Sequence, residues 1–336
     1  MITIFADEMR NLLLALFRKY GFNEQDALSL AEVHTENTLH GINSHGINRV
    51  LQFLDYVKKG IVRIDAKLEK VQAFGTMERW DGQQGSGVLN ALRCTGRAVK
   101  LAKEHGIGLV ALKNTNHWMR GGYYGWQAAK QDCIAILFTN TKPNMPAWGA
   151  TESSIGNNPF VVAIPRKEGH VVLDMALSQY SFGKINEYRL RGEKLPFPGG
   201  WDENNQLSSD PEKLLKKERG LPIGYWKGSA FSMILDMLAT VLSAGNSTSR
   251  IAQKELETNI SQVYLCIFPE VFHDREIRSS LINEIIDFSH GSNAGEAKDK
   301  TYYPGERSAY AREYNSKNGM KVDEETWHSI KQLMDK

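Results

Sequence analysis

The sequence predicts an α/β protein with a helical N-terminal cap, an α/β body and a helical C-terminus that returns to the cap. Three observations predict it. Apolar residues recur at helical spacing through the first sixty residues. From residue 71 short β-branched runs alternate with helical stretches. Residues 323–334 are helical again. The expected division is residues 1–70 joined by 308–336 as the helical unit, and 71–307 as the α/β unit.

Each element has its own signal. Residues 7–20 carry leucines on one helical face, and Asn23 with Asp26 starts a second helix that ends near Gly41. A third is expected from Gly46 to Lys59, capped by Ser44 and stopped by Gly60. Residues 71–74 and 79–81 read as strands, and residues 88–104 as a long helix. Between them, Gly82-Gln83-Gln84-Gly85-Ser86-Gly87 invites comparison with a dinucleotide loop. The spacing is wrong for one, because Asn90 stands where Gly or Ala is required, so it reads as a strand-to-helix turn. Residues 108–113 and 133–139 are expected strands around a helix at 122–130, and residues 160–164 and 171–176 are two more. The proline- and glycine-rich stretch 196–222 reads as an excursion or linker. An apolar helix at 231–243 is expected to be buried on most sides. A strand at 263–268, a helix at 275–288 and a mobile segment at 291–300 complete the body.

Composition narrows the function. The 336 residues hold 41 basic and 39 acidic side chains, a net charge of +2, which argues against nucleic acid or an anionic membrane as partner. No apolar run is long enough to span a bilayer. The N-terminus lacks a signal-peptide pattern, so the expected compartment is the cytoplasm. Cys94, Cys133 and Cys266 lie far apart in apolar stretches and read as buried thiols rather than a disulfide framework. No metal-ligand spacing occurs, and no metal is expected.

Three clusters could carry chemistry. In Asn43-Ser44-His45-Gly46-Ile47-Asn48-Arg49, His45 and Arg49 would share one helical face. Arg49 could fork a carboxylate while His45 exchanges a proton with the adjacent carbonyl oxygen. A plain helix cap with a surface histidine is the commoner arrangement. Asn114-Thr115-Asn116-His117-Trp118, followed by Arg120-Gly121-Gly122, sits between a strand and a helix, where α/β sites gather; an ordinary turn fits equally well. Asp174, inside the apolar run 171–176, must be paired, either to orient a histidine, to hold a ribose, or in a structural ion pair.

In this order these clusters resemble the malate/L-lactate dehydrogenase family that lacks the ordinary Rossmann fingerprint. Ser44-His45-Gly46, residues 105–112, Asn116-His117-Trp118-Met119-Arg120-Gly121-Gly122 and Gly224-Tyr225-Trp226-Lys227-Gly228 carry the resemblance, which covers essentially the whole chain. It implies a non-Rossmann nucleotide-binding domain with a mixed, largely antiparallel sheet, and a homodimer. It implies NAD as cofactor, with NADH ahead of NADPH, and a small 2-oxo acid as substrate. His45 would be the proton donor, with Ser44 and Asp174 completing a relay, or His117 would take the acid/base role. His170, Val171, Val172, Leu173, Asp174, Met175 and Ala176 would contact the cofactor, with Trp226 and Lys227, and with Gly305, Glu306 and Arg307. Malate, ureidoglycolate, sulfolactate and cyclic imino acids remain open as substrates. A non-catalytic dinucleotide-binding protein is the reading from another class.

Overall fold

A computed structural model describes residues 1–291 and 301–335. The chain opens with a short strand β1 (Ile2–Ile4), followed by α1 (Ala6–Lys19) and α2 (Glu24–Leu39). The Asn23 side chain accepts from Asp26 N and starts α2, as the sequence pattern requires. Met9, Leu13, Leu16 and Phe17 form the buried stripe of α1. Full burial of each is worth roughly 1.5–3 kcal/mol.

The third helix differs from expectation. Two 3₁₀ turns, Asn43–His45 and Ile47–Arg49, precede α3, which spans only Val50–Lys58. Ser44 caps no helix, and His45 and Arg49 do not share an α-helical face. The cause is α2, whose side chains take the hydrogen bonds that a longer helix would have formed with itself. Asn37 donates to His45 O at 3.0 Å, the His34 ring to Gly46 O at 3.0 Å, and Ile47 N donates to Thr38 Oγ1 at 3.0 Å. Gly46 is pressed so closely on α2 that a Cβ there would lie 2.3 Å from Thr38 Oγ1.

The body begins with β2 (Glu69–Phe74) and β3 (Met77–Asp81), then α4 (Gly87–His105), capped by Ser86 at the end of the glycine-rich turn. Next come β4 (Ile107–Thr115), α5 (Gly121–Ala129), β5 (Ile134–Thr139), the small pair β6 (Met145–Pro146) and β7 (Ser153–Ile155), then β8 (Phe160–Ile164) and β9 (Val171–Met175). The stretch read as a linker is structured. It follows α6 (Phe182–Arg191), which the sequence reading missed, and contains β10 (Gly200–Trp201), β11 (Leu207–Ser208) and α7 (Pro211–Leu215). Ile185, Leu195 and Leu214 give this lobe a small core of its own, which is why it need not stay extended.

After it come α8 (Trp226–Ser243), α9 (Thr248–Ala252), β12 (Ile260–Ile267), α10 (Arg275–His290), α11 (Glu306–Asn318), β13 (Met320–Val322) and α12 (Glu324–Asp335). The segment expected to be mobile lies, beyond Gly291, outside the described residues.

Seven strands form the main sheet in the order β2-β3-β4-β12-β5-β8-β9. Only β3 and β4 pair in parallel; the other neighbours are antiparallel. The sheet is therefore mixed and largely antiparallel. Alternate residues serve opposite faces. Val110 and Leu112 of β4 join the core that continues into the helical cap, whereas Ala111 joins Leu235 and Ala239 of α8 on the other face. The cap is closed by the C-terminus: β13 pairs with β1, Ile2 opposite Val322, and Arg312 of α11 grips Glu36 of α2 with two bonds of 2.8 Å.

The apolar helix α8 is not buried on most sides. Its body-facing side is mostly small, with Gly228, Ser229, Ser232 and Ala239, while Met233, Ile234, Met237, Leu238 and Val241 face outward, Val241 at 77% exposure. Sequence hydropathy cannot distinguish burial in the chain's own core from an apolar outer face. The three cysteines are free and buried. No helix among the described residues is long and apolar enough to cross a membrane.

Candidate active site

The 3₁₀ turns after α2 bring His45 beside the loop that joins β4 to α5. The His45 and His117 rings stack with centroids 5.7 Å apart and planes 21° apart. Ser44 Oγ lies 3.1 Å from His45 Nδ1, which ties that nitrogen and leaves Nε2 as the reactive one. His117 Nδ1 accepts the Met119 N–H at 2.9 Å. A neutral His117 must therefore carry its proton on Nε2, where it is a hydrogen-bond donor. The loop holds this shape at a cost: Asn114 and Met119 both sit at positive φ, 52° and 66°, which side chains avoid by about 1–2 kcal/mol.

Both rings are kept neutral at pH 7. Burial pushes the His45 pKa down to about 4, and the cations Arg49 and Arg120 push in the same direction. Burial likewise holds His117 well below the usual histidine range, with Arg49 and His45 adding to it. Arg49 has no ion-pair partner among the described residues. It and His117 line a cavity of about 250 Å³, together with Phe53, Tyr56, Asn116, Met119, Lys142, Asn144, Glu218 and Glu257. A half-buried arginine that makes no ion pair, beside two neutral imidazoles, is an arrangement suited to a small anionic carbonyl compound.

Asp174 is elsewhere. Its Oδ2 accepts from Gly122 N at 2.9 Å and lies 3.4 Å from Arg120 Nε. Gly122 is required there, since a Cβ would come 2.5 Å from that carboxylate. The sequence reading placed Asp174 beside Ser44 and His45 in one relay; the structure joins only Ser44 to His45 and gives Asp174 to Arg120 and α5. What approaches Ser44 instead is the first turn of α6, where a Cβ on Gly183 would lie 3.1 Å from Ser44 Cβ.

The other expected residues fall into two groups. His170 precedes β9, which carries Val171 to Met175 along the outer edge of the sheet, and Ala176 follows it. Gly305 packs on the backbone of Val172, whose N–H donates to Pro304 O at 2.8 Å, so Glu306 and Arg307 begin α11 right beside β9. Glu306 accepts from Tyr303 N, and Arg307 lies over the Tyr302 ring. Trp226 and Lys227 stand apart at the exposed start of α8, just past the end of β9, where Ile223 N bonds Leu177 O. Sequence reasoning missed Lys142, Asn144, Glu218 and Glu257 as cavity walls; they come from loops whose only signal is polarity.

These residues fit a dinucleotide. By the two-residue period of a strand, the Asp174 backbone points to the same open sheet edge as that of Val172. Beside it lie the start of α11, whose first turn carries Glu306, and the buried Arg120, whose Nη1 has no partner and could take a phosphate oxygen.

The chain is similar to known proteins over nearly its whole length. The sequence profile described as malate/L-lactate dehydrogenase matches residues 4–331. The 2,3-diketo-L-gulonate reductase of Salmonella paratyphi A is 39% identical over 328 residues, covering 97% of this chain and 98% of the relative. The sulfolactate dehydrogenase of Methanocaldococcus jannaschii superimposes with a TM-score of 0.88 at 27% identity, covering 99% of this chain and 97% of the other. The fold alone is shared, at a TM-score of 0.94 and 23% identity, with malate dehydrogenase from Entamoeba histolytica, over 99% and 97% of the two chains. The chain belongs to the malate/L-lactate dehydrogenase family and is an oxidoreductase that uses a nicotinamide dinucleotide.

Proposed function

We propose that this chain reduces the keto group of a small 2-oxo acid with NADH, and that the acid is 2,3-diketo-L-gulonate, giving 3-dehydro-L-gulonate. The observation that carries the reaction type is the His45–His117 stack beside the unpaired Arg49. The choice of substrate is supported by the full-length similarity to the Salmonella reductases.

When bound along β9 and the start of α11, the reduced cofactor supplies a hydride for the keto carbon. Arg49 holds the substrate carboxylate in a fork. The Nε2–H of His117 donates to the keto oxygen. His45 protonates that oxygen as it becomes an alkoxide, a contribution typically worth about 10²–10⁴-fold. Ser44 fixes the His45 ring, and Asp174 orders Arg120 and the start of α5. A carboxylate on Arg49 cancels one of the cations that hold His45 neutral, so substrate binding itself favours the acid form of His45.

The outward apolar face of α8 supports a homodimer, because a monomer rarely leaves so many neighbouring apolar side chains in water. The proposed compartment is the cytoplasm, and NADH is the proposed form ahead of NADPH.

The deciding experiment is cofactor oxidation, followed by absorbance, with 2,3-diketo-L-gulonate beside pyruvate and oxaloacetate, using NADH and NADPH in turn. Preference for the diketo acid with NADH supports the reading. Activity with another oxo acid keeps the mechanism and changes the substrate. Inactivity with every acid and both cofactors leaves a binding protein.

A further inference from the structure

The cavity beside Arg49 contains more acceptors than the reaction needs. Asn116 is almost wholly buried, and its amide orientation is fixed: Nδ2 donates to Ile61 O, Gln84 O and Gly85 O at 3.2, 2.9 and 3.0 Å. Its Oδ1 is therefore the free end, and it is buried without a partner; so is Asn144 Oδ1. Glu257 is held in place from below, its Oε2 accepting the Lys142 backbone N–H at 2.9 Å. All three residues line the cavity.

The charges point the same way. Among the described lining residues two cations, Arg49 and Lys142, face two carboxylates, Glu218 and Glu257. The Lys142 ammonium is already engaged, donating to Glu255 O at 2.8 Å. Burial raises the Glu257 pKa, while the Lys142 backbone N–H and the charges of Arg49 and Lys142 lower it. With all four groups charged the lining is neutral, so a substrate carboxylate on Arg49 leaves it one negative charge in excess. A second anionic group would add to that excess beside Glu218 and Glu257. A substrate whose remaining atoms end in methyl would leave the Asn116 and Asn144 oxygens unpaired. Hydroxyl groups meet both requirements, since each donates one hydrogen bond and carries no charge.

We infer that Glu257, Asn144 and Asn116 form an acceptor wall that selects a polyhydroxylated 2-oxo acid and discriminates against one with a second anionic group. Glu257 is the specificity-determining residue for charge. The two asparagines read the hydroxyls, because a site with buried groups waiting for donors rejects an analogue that lacks them. This deepens the reduction proposed above and rests on it for the kinetic test alone.

The test compares the unaltered chain with Glu257→Lys in two measurements. In the first, kcat/KM is determined for 2,3-diketo-L-gulonate and for oxaloacetate with NADH. The expected result is a preference for the diketo acid that Glu257→Lys lowers by about tenfold or more, the worth of one charged hydrogen bond. In the second, thermal stabilisation is read with L-gulonate and with malate, neither of which has a keto group. L-gulonate is expected to stabilise the unaltered chain more than malate does, and Glu257→Lys to reverse the order. If L-gulonate binding is selective and depends on Glu257 but no oxo acid is reduced, the inference stands and the reduction reading fails. If oxo acids are reduced with no preference against oxaloacetate, or Glu257→Lys leaves both preferences unchanged, the inference is overturned and the reduction reading stands. Should Glu257→Lys not fold, Glu257→Gln decides: a smaller shift in the same direction supports the wall, and an unchanged ratio overturns it.

Discussion

In the proposed reduction His45 and His117 divide one task, and their surroundings say how. His45→Ala is expected to lower turnover by about 10²–10⁴-fold while cofactor affinity, read from fluorescence quenching, stays near that of the unaltered chain. Near-normal turnover would move the acid role to His117. The pH profile gives a second check. In the free chain burial, Arg49 and Arg120 bring His45 down to about 4, so the acid form is scarce at neutral pH. For reduction, kcat/KM reports that free state and should decline as pH rises above about 4. With an anion on Arg49 the His45 pKa rises, so the decline in kcat should begin at a distinctly higher pH. Coincident profiles would contradict a substrate-assisted acid. The Ser44-His45-Arg49 cluster was legible in the sequence because its members lie within six residues of one another. The mistaken link to Asp174 shows the opposite case: a strand residue faces one side or the other, and only the packed sheet shows that Asp174 meets Arg120 and Gly122.

At the scale of elements, α2 does more than its amphipathic pattern suggests. Its polar side chains His34, Asn37 and Thr38 are buried because they bind the backbone of the His45 turns. The sequence shows helical spacing on both sides of Gly46 but not this cross-link, so the helix start was placed four residues too early, at Gly46 rather than Val50. Gly46→Ala should force the turn off α2, costing about 1–3 kcal/mol in urea unfolding and reducing turnover together. Unchanged stability and activity would mean that the turn is not held as described. Most of the main strands were legible from β-branched runs, whereas α6 and the lobe up to α7 were not, because a three-residue core leaves little periodicity to read. On α8, Met237→Glu replaces an exposed side chain and should change monomer stability by no more than about 0.5 kcal/mol. If the outer face joins two copies, the same change should split the dimer in sedimentation; a single-chain species before and after would remove that interface.

For the molecule as a whole, acid is the expected weakness. His34, His40 and His45 are held at about 4, 3 and 4, below the value near 6.5 that each regains on unfolding. Between those limits the unfolded chain binds more protons than the folded one, so stability is complete above about pH 6.5 and is lost as pH falls. Calorimetry should show the melting temperature dropping steadily from pH 7 to pH 4. A flat profile would mean that these rings already carry their protons when folded. The pairing of β1 with β13 and of α2 with α11 has a further consequence, for the order in which the chain can fold during synthesis. The turn that carries His45 leaves the ribosome long before residues 306–322, which close its cap. At about 5–20 residues per second, Leu13, Leu16 and Phe17 wait on the order of 15–60 s for that closure. Until then the α/β body can assemble its sheet, while the helices that carry His45 depend on transient shelter, from the body itself or from a chaperone.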